Sequence, residues 1–271
     1  MTLPGAITSL TNPRVKAAVR LRDRREREST GLTIVDGARE LGRALEAGVE
    51  VVEAYVCDAQ VRTDEARDVV GRLAGTVGLT SVSEPVIAKL AFGDRSDGVV
   101  AIVQTPSTSL GNLELGPDPL IVVLEAVEKP GNLGAILRTA DGAGVDAVIA
   151  ADPRTDLFNP NAVRASLGTI FTRPVAAAPS AEVLEWLAAR DVHLVAARVD
   201  AERLYTDAEL RGALAIVLGS ETAGLKSTWT DERVEPVRIP MGGKADSLNV
   251  SVAAAVLLYE AVRQRATLDE R

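Results

Sequence analysis

From residue 120 onward the chain repeats one pattern. A short unbroken apolar run is followed by a break of glycine, proline or polar residues, and then by a stretch with helical spacing. Leu120-Ile121-Val122-Val123-Leu124 is the first such run, and similar runs recur at 147–150, 193–197, 213–218 and 237–239. Unbroken aliphatic runs of this length are characteristic of strands covered on both faces. Helical spacing appears near 132–143, 161–168, 181–190 and 249–264. Alternating strand and helix predicts an α/β domain with a mainly parallel sheet, whose ligands bind at the carboxyl ends of the strands.

The first hundred residues carry a looser version of the same alternation. Strands are expected at 32–35, 49–56, 80–82 and 99–104, with helices over 38–47 and 64–73. Residues 105–119 are rich in proline, glycine and serine, as linkers are. The reading is therefore a small domain over 1–105, a linker over 106–118 and a larger domain over 119–271. Within 12–28, Val15, Ala18, Val19 and Arg22 fall at helical spacing and predict one helix with a narrow apolar face.

Composition changes the picture little and charge changes it more. The 271 residues are 46% hydrophobic but only 3% aromatic, so the core is aliphatic. A formal charge of -8 gives no global basic field to attract nucleic acid. Against that background the helix at 12–28 stands out. Arg14, Lys16, Arg20, Arg22, Arg24, Arg25 and Arg27 are set there against Asp23, Glu26 and Glu28. An isolated charge run is usually a solvated face, but the bias to arginine favours phosphate oxygens. A single cysteine, Cys57, excludes an internal disulfide, and with a single histidine, His193, it excludes a Cys/His zinc site; no metal is expected. His193 is expected inside a strand as a packed residue. No signal-like segment or membrane-spanning apolar run is present, so a cytoplasmic protein is expected.

Three polar-glycine turns carry the candidate chemistry. The first runs from Glu125 to Ala140, with Asn132 placed to cap a helix and Arg138 six residues on, on a similar side. It matches neither a dinucleotide fingerprint nor a phosphate loop. The second is Leu218-Gly219-Ser220-Glu221, directly after an apolar run. The third runs from Ile239-Pro240-Met241 through Ser247-Leu248-Asn249 into an Ala/Val/Leu-rich helix, where buried Ser247 and Asn249 are costly unless something needs them. Each is weak alone, and capping explains the first two; their order and spacing together are a strong signal.

In these motifs the chain resembles the SpoU (TrmH-like) branch of the SPOUT RNA methyltransferases. The resemblance rests on Asn132 to Ala140, on Leu218 to Glu221, on Ile239-Pro240-Met241 and on Ser247 to Ser251. The segment Asn159 to Gly168, with Arg164, is also similar to the family. The N-terminal part, with Asp36-Gly37 where members usually have Glu-Gly, more loosely resembles an L30e-like RNA-binding domain. The resemblance implies a SPOUT fold with a C-terminal trefoil knot, S-adenosyl-L-methionine as cofactor, a homodimer formed through the knot region, and methylation of a ribose 2'-hydroxyl, with 23S ribosomal RNA as the expected substrate. Carried over, Leu218, Gly219, Ile239, Met241, Leu248 and Asn249 would bind the cofactor. Arg138 would be the catalytic cation, with Asn132, Glu221, Ser247 and Asn249 orienting the reacting groups. Arg14, Arg22, Arg24, Arg25 and Arg164 would bind RNA. A tRNA methyltransferase, a non-catalytic ribosome assembly factor and an ordinary doubly wound nucleotide-binding enzyme are the alternatives.

Overall fold

The computed structural model describes residues 5–91, 96–220 and 224–269. The chain divides into two compact units, one of residues 1–106 with 158–172, the other of residues 107–157 with 173–271.

In the first unit the basic segment forms two helices, α1 (Pro13–Arg20) and α2 (Arg24–Thr30), where one was expected. Asn12 caps α1 by accepting the Arg14 N–H, and Pro13 occupies the first helical position. The break falls at Asp23, whose carboxylate accepts the Arg25 N–H and starts a new helix. A short acidic side chain competing for a backbone donor is a common reason for such a break. The unit continues through β1 (Leu32–Asp36), α3 (Ala38–Glu46), β2 (Val51–Val56), α4 (Asp64–Ala74), β3 (Leu79–Ser81), α5 (Glu84–Leu90) and β4 (Val99–Gln104). The sheet order is β1-β4-β2-β3, with β2 and β3 parallel and the other pairs antiparallel. Its core packs α1 and α5 on the sheet through Val15, Ala18, Ile34, Tyr55 and Ile87. Helix α5, with Pro85 in its first turn, escaped the sequence reading.

The second unit is built on β5 (Leu120–Glu125), α6 (Pro130–Gly142) and β6 (Ala147–Ala151). The chain then forms α7 (Pro160–Ala165) and α8 (Thr169–Thr172), which pack in the first unit, where Thr33 donates to the Phe158 carbonyl and Arg43 to that of Leu167. The second unit resumes with β7 (Val175–Ala178), α9 (Ser180–Ala188), β8 (His193–Ala197), β9 (Leu214–Leu218), β10 (Val234–Val237) and α10 (Val250–Asp269). All six strands are parallel, in the order β10-β8-β9-β5-β6-β7. Strand β7, read Val-Ala-Ala-Ala, went unrecognised because alanine carries little strand preference. Strand β10 ends at Val237, so Ile239 lies beyond the sheet rather than in it. His193 is the first residue of β8, half-buried and paired through Nε2 with Glu235 at 3.0 Å, instead of packed inside the strand. It sits at the amino end of the strands, away from the turns. Helix α10 packs along α6. Among the described residues no helix is long and apolar enough to cross a membrane.

Candidate active site at the strand ends

The parallel sheet places all three turns at one end. The first follows β5, the second β9 and the third β10, each leaving a carboxyl end.

Helix α6 starts at Pro130 with Lys129 as N-cap, so Asn132 is the third helical residue and not the cap. Proline fits the first helical position because its missing N–H would be unbonded there anyway. Asn132 instead faces α10, where Asn249 Nδ2 lies 3.4 Å from its Oδ1. Asn249 is the residue that caps: its Oδ1 accepts the Ser251 N–H at 2.9 Å and the Ser251 hydroxyl at 2.6 Å. Ser247 and Asn249 are both exposed, so the desolvation argument does not apply to them. Arg138 projects into solvent from α6 and makes no hydrogen bond or ion pair among the described residues. It is not on the side of Asn132: six residues at 3.6 per turn place it about 120° around the helix.

The second turn is closed on itself. Ser220 and Gly224 exchange backbone hydrogen bonds of 3.1 and 3.0 Å. A Cβ on Gly219 would stand 2.3 Å from the Gly224 carbonyl carbon, so only glycine permits this approach. Glu221 lies outside the described residues. The third segment, 239–248, is irregular, and among the described residues its backbone makes no hydrogen bond to the rest of the chain.

Between the second and third turns and the end of β8 lies a cavity of about 500 Å³. Leu218, Gly219, Ile239, Met241 and Leu248 all line it, as do Ser220 and Ser247, whereas Arg138 does not. A smaller cleft of about 40 Å³ brings Asn132 and Glu125 against the other side of Leu218, Gly219 and Ser220. The large cavity falls in the size range of small-molecule sites. Its apolar side chains suit the faces of a purine, and the unbonded backbone of 239–248 offers donors and acceptors for the purine edge. These residues fit S-adenosyl-L-methionine.

Of the expected RNA-binding arginines, three are engaged by groups of the first unit distant from them in sequence. Arg14 donates to Glu53 at 2.6 Å and to Thr80 at 2.7 Å. Arg22 bonds the carbonyls of Lys89 and Ala91, both at 2.8 Å, closing the end of α5. Arg164 bonds Asp36 at 2.5 Å, and that carboxylate side chain is 2% exposed. Arg24 meets Glu28 on the surface, and Arg25 makes no side-chain bond among the described residues.

A polar cluster at the ends of β5 and β6 was not anticipated. Glu125, 1% exposed, accepts from Ser180 Oγ and from the Lys226 N–H, and Asp152 accepts from Lys226 Nζ at 2.9 Å. The Lys226 hydrogen bond holds the Asp152 carboxyl below the usual aspartate range. Ala126 and Asp152 both adopt left-handed backbone, at φ 52° and 45°. The available signal was an acidic residue directly after each of two apolar runs.

Comparison with known proteins identifies the family. The SpoU rRNA Methylase family model matches residues 119–259, and an MRM3-like substrate binding domain matches residues 12–101. The chain is 32% identical to a 23S rRNA (uridine(2479)-2'-O)-methyltransferase of Streptomyces viridochromogenes, over 90% of this chain and 87% of the relative. A crystal structure of an RNA 2'-O ribose methyltransferase superposes with a TM-score of 0.85 at 44% identity, covering 96% of this chain and 99% of that one. The AdoMet-bound rRNA methyltransferase of Sinorhizobium meliloti superposes with a TM-score of 0.86 at 31% identity, covering 95% and 97%. The chain belongs to the SpoU rRNA methylase family.

Proposed function

We propose that the chain transfers a methyl group from S-adenosyl-L-methionine to a ribose 2'-hydroxyl of 23S ribosomal RNA. The observation that carries this is the meeting of the second and third turns, drawn from distant parts of the sequence, around one cavity at the carboxyl end of a parallel sheet, with the first turn on the adjoining cleft beside Leu218, Gly219 and Ser220. The names of the relatives at full length support rRNA as the substrate class.

The cofactor, when bound, supplies an electrophilic methyl on a sulfonium. The protein's part is to seat it and to position the hydroxyl in line, which can account for much of the rate. Leu218, Ile239, Met241 and Leu248 enclose the adenosyl end. Gly219 and Asn249 shape the turns beside it, and Ser247 completes the methionine end. Arg138 cannot act as a base, because a guanidinium stays protonated in proteins. It holds an RNA phosphate and stabilises the developing alkoxide as the hydroxyl proton passes to solvent. Its lack of a partner among the described residues suits this role. Arg25, and Arg24 once drawn from Glu28, contribute phosphate contacts in the first unit.

The C-terminal segment after β10 is expected to close a trefoil knot, and the protein to work as a cytoplasmic homodimer. Val252 at 47% and Tyr259 at 52% exposure on α10 support a partner subunit there.

Incubating the protein with labelled S-adenosyl-L-methionine and unmodified 23S RNA, followed by mass-spectrometric mapping, tests the reading. One added 2'-O-methyl ribose is expected. Methylation of a base, or of tRNA in preference to 23S RNA, refutes it.

A further inference from the structure

The buried carboxylate of Glu125 has no part in the chemistry described so far, although five of the six β5 residues are aliphatic and a sixth would pack there as well. Removing a carboxylate from water is unfavourable unless its lone pairs are well used. Here both oxygens are used. Oε2 accepts the backbone N–H of Lys226 at 2.7 Å, and Oε1 meets Ser180 Oγ at 2.9 Å. Ser180 Oγ is also 3.0 Å from Asp152 Oδ2, which Lys226 Nζ reaches at 2.9 Å. Ser180 has one hydroxyl proton for two carboxylate oxygens, so it cannot bond both fully, and the strongest fixed contact of Glu125 is the one to Lys226.

Lys226 follows directly on Gly224 and Leu225, which form part of the large cavity's wall. The other end of that wall is held by Leu218, which pairs with Leu124 in the sheet. The residue after Leu124 is Glu125. Adjacent β5 residues therefore hold both ends of the same turn, one through the strand ladder and one through a side chain.

We propose that Glu125 is a positioning residue for the methyl-donor cavity: it fixes Lys226, and through it the part of the wall formed by Gly224 and Leu225, against which the cofactor packs. This rests on the reading of the cavity as the S-adenosyl-L-methionine site. The exposed Lys226–Asp152 ion pair is a lesser support, because solvent screens it. Glu125→Gln should substitute well. Its amide oxygen can take the Lys226 N–H while its NH2 donates to Ser180, freeing the hydroxyl proton for Asp152.

Isothermal titration of the full chain with S-adenosyl-L-methionine, alongside 23S RNA binding, tests this. Glu125→Ala and Glu125→Leu should weaken cofactor affinity about tenfold or more and leave RNA affinity within about twofold. Glu125→Gln and Lys226→Met should stay within about threefold of the wild type. Glu125→Leu keeps an aliphatic side chain in a buried strand, so it decides the matter if Glu125→Ala does not fold. A folded Glu125→Leu protein with wild-type cofactor affinity overturns the proposal, as does an equal loss in Glu125→Gln. A wild-type protein that binds no cofactor refutes the underlying reading instead.

Discussion

Two sets of polar groups are alike in the sequence and behave oppositely in the structure: the arginines of the first unit, and the polar groups around the strand ends of the other. Arg14, Arg22 and Arg164 read as a phosphate-binding set, yet each is bonded to a carboxylate or to carbonyls of its own unit. Arg138 and the backbone of 239–248 find no partner among the described residues. A polar group already satisfied inside the fold mostly stabilises it, and one left unsatisfied beside a cavity is available to a ligand. The proposed roles follow this difference rather than position in a basic run.

The largest expected effect is on Arg138. Arg138→Ala should lower methyl transfer by about 10²–10³-fold, as loss of a preorganised charge stabiliser does, with cofactor affinity unchanged by titration calorimetry. Robust turnover would remove the residue from the chemistry. Arg164→Ala should act on the fold instead, because it strips a partner from the nearly buried Asp36. A loss of about 2–3 kcal/mol in denaturant unfolding is expected, below the full figure for a buried pair because Arg164 is 35% exposed. A wild-type midpoint with weakened RNA binding would put Arg164 back among the RNA contacts.

A smaller contrast lies within the basic segment. Arg22→Ala should cost about 1–2 kcal/mol by freeing the α5 carbonyls, whereas Arg25→Ala should leave stability alone and weaken RNA binding a few-fold, with a shallower salt dependence. The reverse result would break the comparison. The smallest effects concern pH. Burial pushes the Glu40 carboxyl above the usual glutamate range, so its ionised form opposes folding. Its favourable contribution is complete below the unfolded-state pKa and is lost as pH rises through the folded one. Asp152 has the opposite sign: its contribution is present above the unfolded aspartate pKa and is lost as pH falls through the lowered folded value. Relative to the wild type, Glu40→Gln should therefore raise the melting temperature well above the glutamate pKa range and do nothing below it. A gain in both ranges would show that charge is not the cause.

Most of the second unit was legible because Leu120 to Leu124, and runs like it, leave a buried parallel strand as the simplest reading. That the turns lie at one end follows once all the strands run the same way, whereas Leu218, Gly219, Ile239, Met241 and Leu248, which line one cavity, were singled out by the family resemblance. What escaped has physical causes. The cap of α6 fell on Lys129 because Pro130 fixes the helix start, and α1 and α2 separated because Asp23 takes a backbone donor. The partners of Arg22 lie 67 to 69 residues away and those of Arg164 128 away, at distances where local patterns carry no information. Glu125 read only as the first residue of the first turn, with no role of its own, and only its contacts to Ser180 and Lys226 reveal a use. Packing of 158–172 in the first unit is likewise a tertiary fact with no local signal.

The central claim is that the unsatisfied end of the second unit's sheet seats the methyl donor. Titration calorimetry of S-adenosyl-L-methionine into the wild type and Met241→Arg tests it most directly, since a cation in the cavity both fills it and repels the sulfonium. One saturable site per chain in the wild type and none in Met241→Arg is the expected result. Equal affinity in the two proteins would contradict it.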